Sequence, residues 1–104
     1  MNRLEHLLTI AMEECAEIQQ AVAKSLRFGL GDTGPEGPRT NEQQIQREFN
    51  DLLAVVRMLR NSGLELHEDQ RLIQAKVSKV EHYLLYSKQR GTLEGEESDD
   101  DNPA

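Results

Sequence analysis

Apolar residues return along the first quarter of the chain in steps of three and four, at Leu4, Leu8, Ala11, Cys15, Ile18, Val22 and Leu26. On a helix that advances about 100° per residue, this spacing keeps them on one side. It predicts a first helix ending at Phe28, opened by Asn2 and Glu5, whose spacing is that of a reciprocal N-terminal cap. A second stripe, Ile45, Phe49, Leu52, Val56 and Leu59, follows the capping-box pair Thr40 and Gln43 and is closed by Asn61-Ser62-Gly63. A third, Ile73, Val77, Val80 and Leu84, predicts a helix over residues 65–90, with Gly91 at its C-terminal cap. The intervening GLGDTGPEGPRT holds four of the seven glycines and two of the three prolines and reads as a loop. No period-two alternation, internal repeat or phosphate-cradling glycine motif interrupts this pattern. The expected fold is all-α, an antiparallel helical bundle of three long helices. Oligomerisation is expected to complete its seams, because 104 residues bury only a modest core alone.

Charge changes this picture little. Of the net −7, six acids and no base fall in residues 91–104, GTLEGEESDDDNPA, which has the composition of a disordered, solvated tail. Residues 1–90 carry thirteen acids against twelve bases and no basic stripe, so a nucleic acid polymer is not an expected partner. MNRLEHLL lacks the apolar run of a signal peptide, and no apolar stretch is long enough for a membrane span. The expectation is a cytoplasmic protein without membrane contact. The single Cys15, inside a helical apolar pattern, is expected to pack rather than react.

Carboxylates at the edge of the stripes are the candidate chemistry. In EECAE, Glu13 points away from the predicted seam, while Glu14 and Glu17 form a one-turn pair at its margin, beside Leu7, Ile10 and Ala21. In the second helix Glu48 and Asp51 are offset in the same way, beside Val55 and Met58. One such pair is ordinary surface decoration, but two pairs on helices that pack antiparallel would converge. Four converging carboxylates repel unless protonated or bridged by a cation. An all-oxygen set favours Mg²⁺ or Mn²⁺ over zinc or copper. The Glu-x-x-His motif of di-iron bundles is missing, since Arg3, Leu64 and Lys79 stand three positions before the three histidines. The chemistry left is metal-assisted attack by water.

EECAE followed after a loop by EFNDLL resembles the MazG-like group of all-α nucleoside triphosphate pyrophosphohydrolases, most closely the short single-domain proteins found in bacteriophages, to which AKSLRFG is also similar. The resemblance covers residues 4–90 of a domain taken as 1–90. It implies conversion of a nucleoside triphosphate and water to monophosphate and pyrophosphate, with Mg²⁺ as cofactor and Glu14, Glu17, Glu48 and Asp51 as metal ligands and catalytic residues. A phage-encoded chain would act in the host cytoplasm.

A polyanionic substrate needs donors. Lys76, Lys79 and Tyr83 share a stripe of the third helix, where they either bind phosphate or lie along the seam as amphipathic edge residues. Lys24 and Arg27 are further candidates, and Asn50 is placed either to hydrogen-bond a nucleobase or to cap a neighbouring helix. The expected assembly is a homodimer or homotetramer. The competing reading is a helical dimerisation or adaptor module whose acids are solvated helix faces.

Overall fold

The computed structural model describes residues 1–95, so the tail predicted for 91–104 lies largely outside the described residues. Three helices follow one another: α1 (Arg3–Phe28), α2 (Asn41–Asn61) and α3 (Gln70–Gln89). Among the described residues there is no strand. The chain divides into two units, Met1–Leu66 with α1 and α2, and a second from His67 onward with α3.

The helix ends form as the sequence dictates. Asn2 Oδ1 accepts from the Glu5 amide at 2.8 Å while Glu5 Oε1 accepts from the Asn2 amide at 2.9 Å. Thr40 and Gln43 form the same reciprocal pair at the start of α2, at 3.1 and 2.8 Å. Each box satisfies two of the amides that a helix start leaves without intrahelical partners. At the end of α2 the Gly63 amide donates to Arg60 O at 3.0 Å and the Leu64 amide to Leu59 O at 3.1 Å, a Schellman turn. Gly63 adopts φ 97°, a conformation costly for residues with a Cβ. The turn folds Leu64 back onto Leu59, so the C-terminal stop also adds to the core. α3 ends on the same bonding pattern, from Gly91 to Lys88 O and from Thr92 to Ser87 O. Its start differs from expectation. Asp69, not a residue near Glu65, caps α3 by accepting from the Arg71 and Leu72 amides, so the helix begins one turn later.

α1 and α2 pack as an antiparallel hairpin. At one end Leu7, Val55 and Leu59 form the buried cluster, with Leu4, Ala11 and Leu64 against it. At the other, residues of the glycine loop bond back to the first turn of α2: the Asn41 side chain donates to Gly29 O at 2.8 Å, and the Asn41 and Glu42 amides donate to Asp32 O and Leu30 O. These bonds hold the end of α1 beside the start of α2.

The covered stripe of α1 is only in part the predicted one. Leu4, Ala11 and Ile18 are covered as predicted and are joined by Leu7, Glu14, Ala21 and Ser25, whereas Leu8, Cys15, Val22 and Leu26 are exposed, Leu26 by 84%. In α2 the predicted Ile45, Leu52, Val56 and Leu59 are covered, but Phe49 is exposed and Val55 and Glu48 take part instead. The physical reason is that α1 is apolar on two adjacent sides. α2 packs on the side where Ala11, Ala21 and Ser25 are small, with Ser25 Oγ returning its hydrogen bond to Ala21 O at 2.9 Å, and helix separation follows side-chain size at the contact. α3 buries none of its residues, and its stripe of Ile73, Val77, Val80 and Leu84 is exposed.

The buried cluster carries the hairpin's stability, so Leu59→Ala, at a position 2% exposed, is expected to destabilise it by about 2–5 kcal/mol in urea unfolding. A loss below about 1 kcal/mol would mean that α1 and α2 do not pack through this cluster.

Candidate metal centre

The hairpin places the two acid pairs opposite each other. Glu14 and Glu17 lie one turn apart on α1, Glu48 and Asp51 one turn apart on α2, and one carboxylate oxygen from each lies within 4.8 Å of the others. Glu14 and Glu48 belong to the covered stripes and are half-buried, while Glu17 and Asp51 are exposed. The pairs are therefore inside the seam at one member each, not at its margin as the predicted stripes imply. Glu13 is exposed, in line with its outward azimuth.

The electrostatics follow from this geometry. Burial raises the Glu14 carboxyl above its ordinary pKa, and the negative charges of Asp51, Glu48 and Glu13 add to the effect. Glu17 is raised first by a hydrogen bond with Glu48, which requires a shared proton, then by the charges of Glu14 and Glu48. Glu48 Oε1 accepts from Gln44 Nε2 at 2.5 Å. Glu14 Oε2 and Glu48 Oε2 are enclosed and accept no hydrogen bond from a protein donor. Enclosed carboxylate oxygens without donors are costly, and a cation is the partner that suits them. A hard divalent ion with ligands at 2.0–2.6 Å has a first coordination sphere about 4.0–5.2 Å across. The 4.8 Å spread of the four oxygens matches that dimension, so the residues fit the cation that their chemistry implies.

Beside the acids opens a cavity of about 510 Å³, bounded by Glu17 and Lys24 of α1, Thr33 and Arg39 of the loop, and Gln44 and Glu48 of α2. Glu17 and Glu48 belong to both cavity and cluster. Of the predicted donors, Lys24 lines this cavity, whereas the Arg27 guanidinium sits 4.8 Å over the Phe28 ring. Asn50 is exposed and donates to Gln46 O of its own helix at 2.8 Å, so it does not line the cavity. Lys76, Lys79 and Tyr83 are exposed on α3 in the second unit, with Tyr83 edge-on to His82 at 5.4 Å. Sequence reasoning missed Arg39 and Gln44. Their one signal was position, at the junction of the glycine loop with α2. Compared with protein-family models, curated proteins and solved structures, the chain matches none.

The raised carboxyls set a pH dependence. In the unfolded chain Glu14 and Glu17 titrate near the ordinary 4.5, and in the fold they hold their protons to higher pH. Below the ordinary value both states are protonated and these groups cost nothing. As pH rises through the raised values, the fold must ionise them at a cost, so their contribution destabilises the metal-free protein towards neutrality. Glu14→Gln is expected to melt above the wild type at about pH 7.5 in chelator, with the difference shrinking at about pH 5. A lower melting temperature for the variant at neutral pH would show that Glu14 is not held against repulsion.

Proposed function

We propose that the chain is a divalent-cation-dependent nucleoside triphosphate pyrophosphohydrolase. The observation that carries this reading is the convergence of four carboxylate oxygens, two of them from residues inside the helix seam, beside a cavity that Glu17 and Glu48 share with Lys24 and Arg39. Bound at the acids, Mg²⁺ or Mn²⁺ would supply charge stabilisation and acidify water. The residues around it do the rest. Glu14, Glu17, Glu48 and Asp51 would hold the cation, with Glu14 and Glu48 half-buried in the seam, Glu17 and Asp51 exposed, and Glu17 and Glu48 turned to the cavity that would take substrate. Lys24 and Arg39 draw the anionic substrate into the cavity and orient it by charge and hydrogen bonds. A volume of about 510 Å³ lies within the range of small-molecule sites, about 300–1,000 Å³.

The carboxylates alone do not choose between attack at the α- and γ-phosphorus. That choice rests on the likeness of EECAE and EFNDLL to the MazG-like enzymes. The unburied stripe of α3 supports a homodimer or homotetramer, as part of the same proposal. It equally suits the adaptor reading, which does not need the acid cluster. Metal-dependent melting separates the two. Mn²⁺ at about 100 times its Kd should stabilise an enzyme of this kind by about 2.7 kcal/mol, and melts identical in metal and chelator would favour the adaptor.

Turnover of nucleoside triphosphates is expected to give monophosphate and pyrophosphate, with ¹⁸O from labelled water entering the monophosphate. Glu17→Gln or Asp51→Asn should lower it by at least about 100-fold, the effect of losing roughly 2.7 kcal/mol of transition-state stabilisation. Orthophosphate and diphosphate as first products would sink the pyrophosphohydrolase assignment.

A further inference from the structure

Along the cavity wall, three side chains form a chain of hydrogen bonds that ends in the acid cluster. Arg39 Nη1 donates to Gln44 Oε1 at 3.0 Å, and Gln44 Nε2 donates to Glu48 Oε1 at 2.5 Å. Gln44 is half-buried and precedes Glu48 by one turn of α2. We propose that Gln44 is a positioning residue for the cation site, orienting Glu48 through its amide nitrogen while Arg39 fixes its amide oxygen. The proposal rests on the reading of the acid cluster as a cation site.

The residue type at position 44 is what the two neighbours require. A guanidinium only donates and an ionised carboxylate only accepts, so the group between them must accept on one side and donate on the other. A neutral amide does both. A glutamate there would satisfy Arg39 and repel Glu48, and a lysine would do the reverse. With Oε1 engaged by Gln44, the enclosed Oε2 of Glu48, which has no donor of its own, is the oxygen left for the cation. The amide also keeps Arg39 one side chain away from Glu48. A direct ion pair between them would compete with the cation for the same carboxylate.

The loop that carries Arg39 is built tightly enough to hold it. A Cβ at Gly37 would come within 2.8 Å of Thr33 O and 3.2 Å of Arg39 N, so the backbone closes on itself just before Arg39. Outer partners of this kind commonly contribute about 10–100-fold to metal affinity.

The test is calorimetric titration with MnCl₂ of the wild type, Gln44→Leu, Arg39→Leu and the double variant, with metal-free melts of each. Gln44→Leu is expected to weaken Mn²⁺ binding about 10–100-fold while its metal-free melting temperature stays near the wild-type value. Arg39→Leu carries the sharper expectation. Removing a positive charge beside a cation site should by Coulomb's law tighten Mn²⁺ binding, whereas loss of the relay weakens it, and the relay predicts weakening. The double variant should bind no more weakly than Gln44→Leu alone, since both lesions break one chain. Tighter binding by Arg39→Leu, additive losses in the double variant, or wild-type affinity in Gln44→Leu would each overturn the relay and leave the cation site standing. A wild type that takes up no Mn²⁺ would remove the cation site and the relay together.

Discussion

Repulsion among four carboxylates is the constraint around which the first unit is organised. Glu14 and Glu48 occupy positions in the α1–α2 seam that an ordinary hairpin would give to leucine or alanine. The seam must therefore be closed from both sides of the acids. Toward one end the Leu7, Val55 and Leu59 cluster supplies apolar burial. Toward the other, the small Ala21 and Ser25 let the helices approach, and the loop carbonyls of Gly29, Leu30 and Asp32 tie down the start of α2. Between these two clamps the acids stay close together, and the raised carboxyls of Glu14 and Glu17 are the electrostatic record of that crowding. Local conflict of this kind, sustained by surrounding structure, is where function is expected to reside.

Positive charge is graded around the site. Among the described residues no lysine or arginine donates to the enclosed Glu14 Oε2 or Glu48 Oε2. Arg39 reaches it only through the Gln44 amide, and Lys24 and Arg39 face the adjoining cavity. A cationic side chain in direct contact would neutralise the acids permanently. Held one residue away, the same charges leave the acids free for a cation and give the cavity an attraction for anions. The proposed division of labour, a metal on the carboxylates and phosphates on the basic wall, needs that separation.

The second unit depends on different physics. α3 has a strong N-terminal cap at Asp69 and a Schellman stop at Gly91, yet none of its residues is buried. Caps and local bonds define where such a helix begins and ends, but they supply little of the stability that tertiary packing gives. Its apolar stripe, with Lys76 and Lys79 beside it, is exposed along its length.

Local rules explain why much of the fold was legible in the sequence. Helix number, the boundaries of α1 and α2, both capping boxes and both glycine stops depend on residues within a few positions of each other, so sequence spacing specifies them directly. The four acids were legible for the same reason, since a one-turn pair is fixed by helical geometry alone. Three features were not legible, two of them because tertiary structure decided them. α1 presents two apolar sides, and periodicity cannot say which one a partner helix will choose; packing chose the side with Ala21 and Ser25, which carried Glu14 into the seam and left Leu8 and Leu26 exposed. The start of α3 moved to Asp69 because a side-chain cap competed successfully with apolar spacing. The Arg39–Gln44–Glu48 relay was invisible because its first member sits on a loop, where no period predicts direction, and only the closed hairpin sets that loop beside the acids.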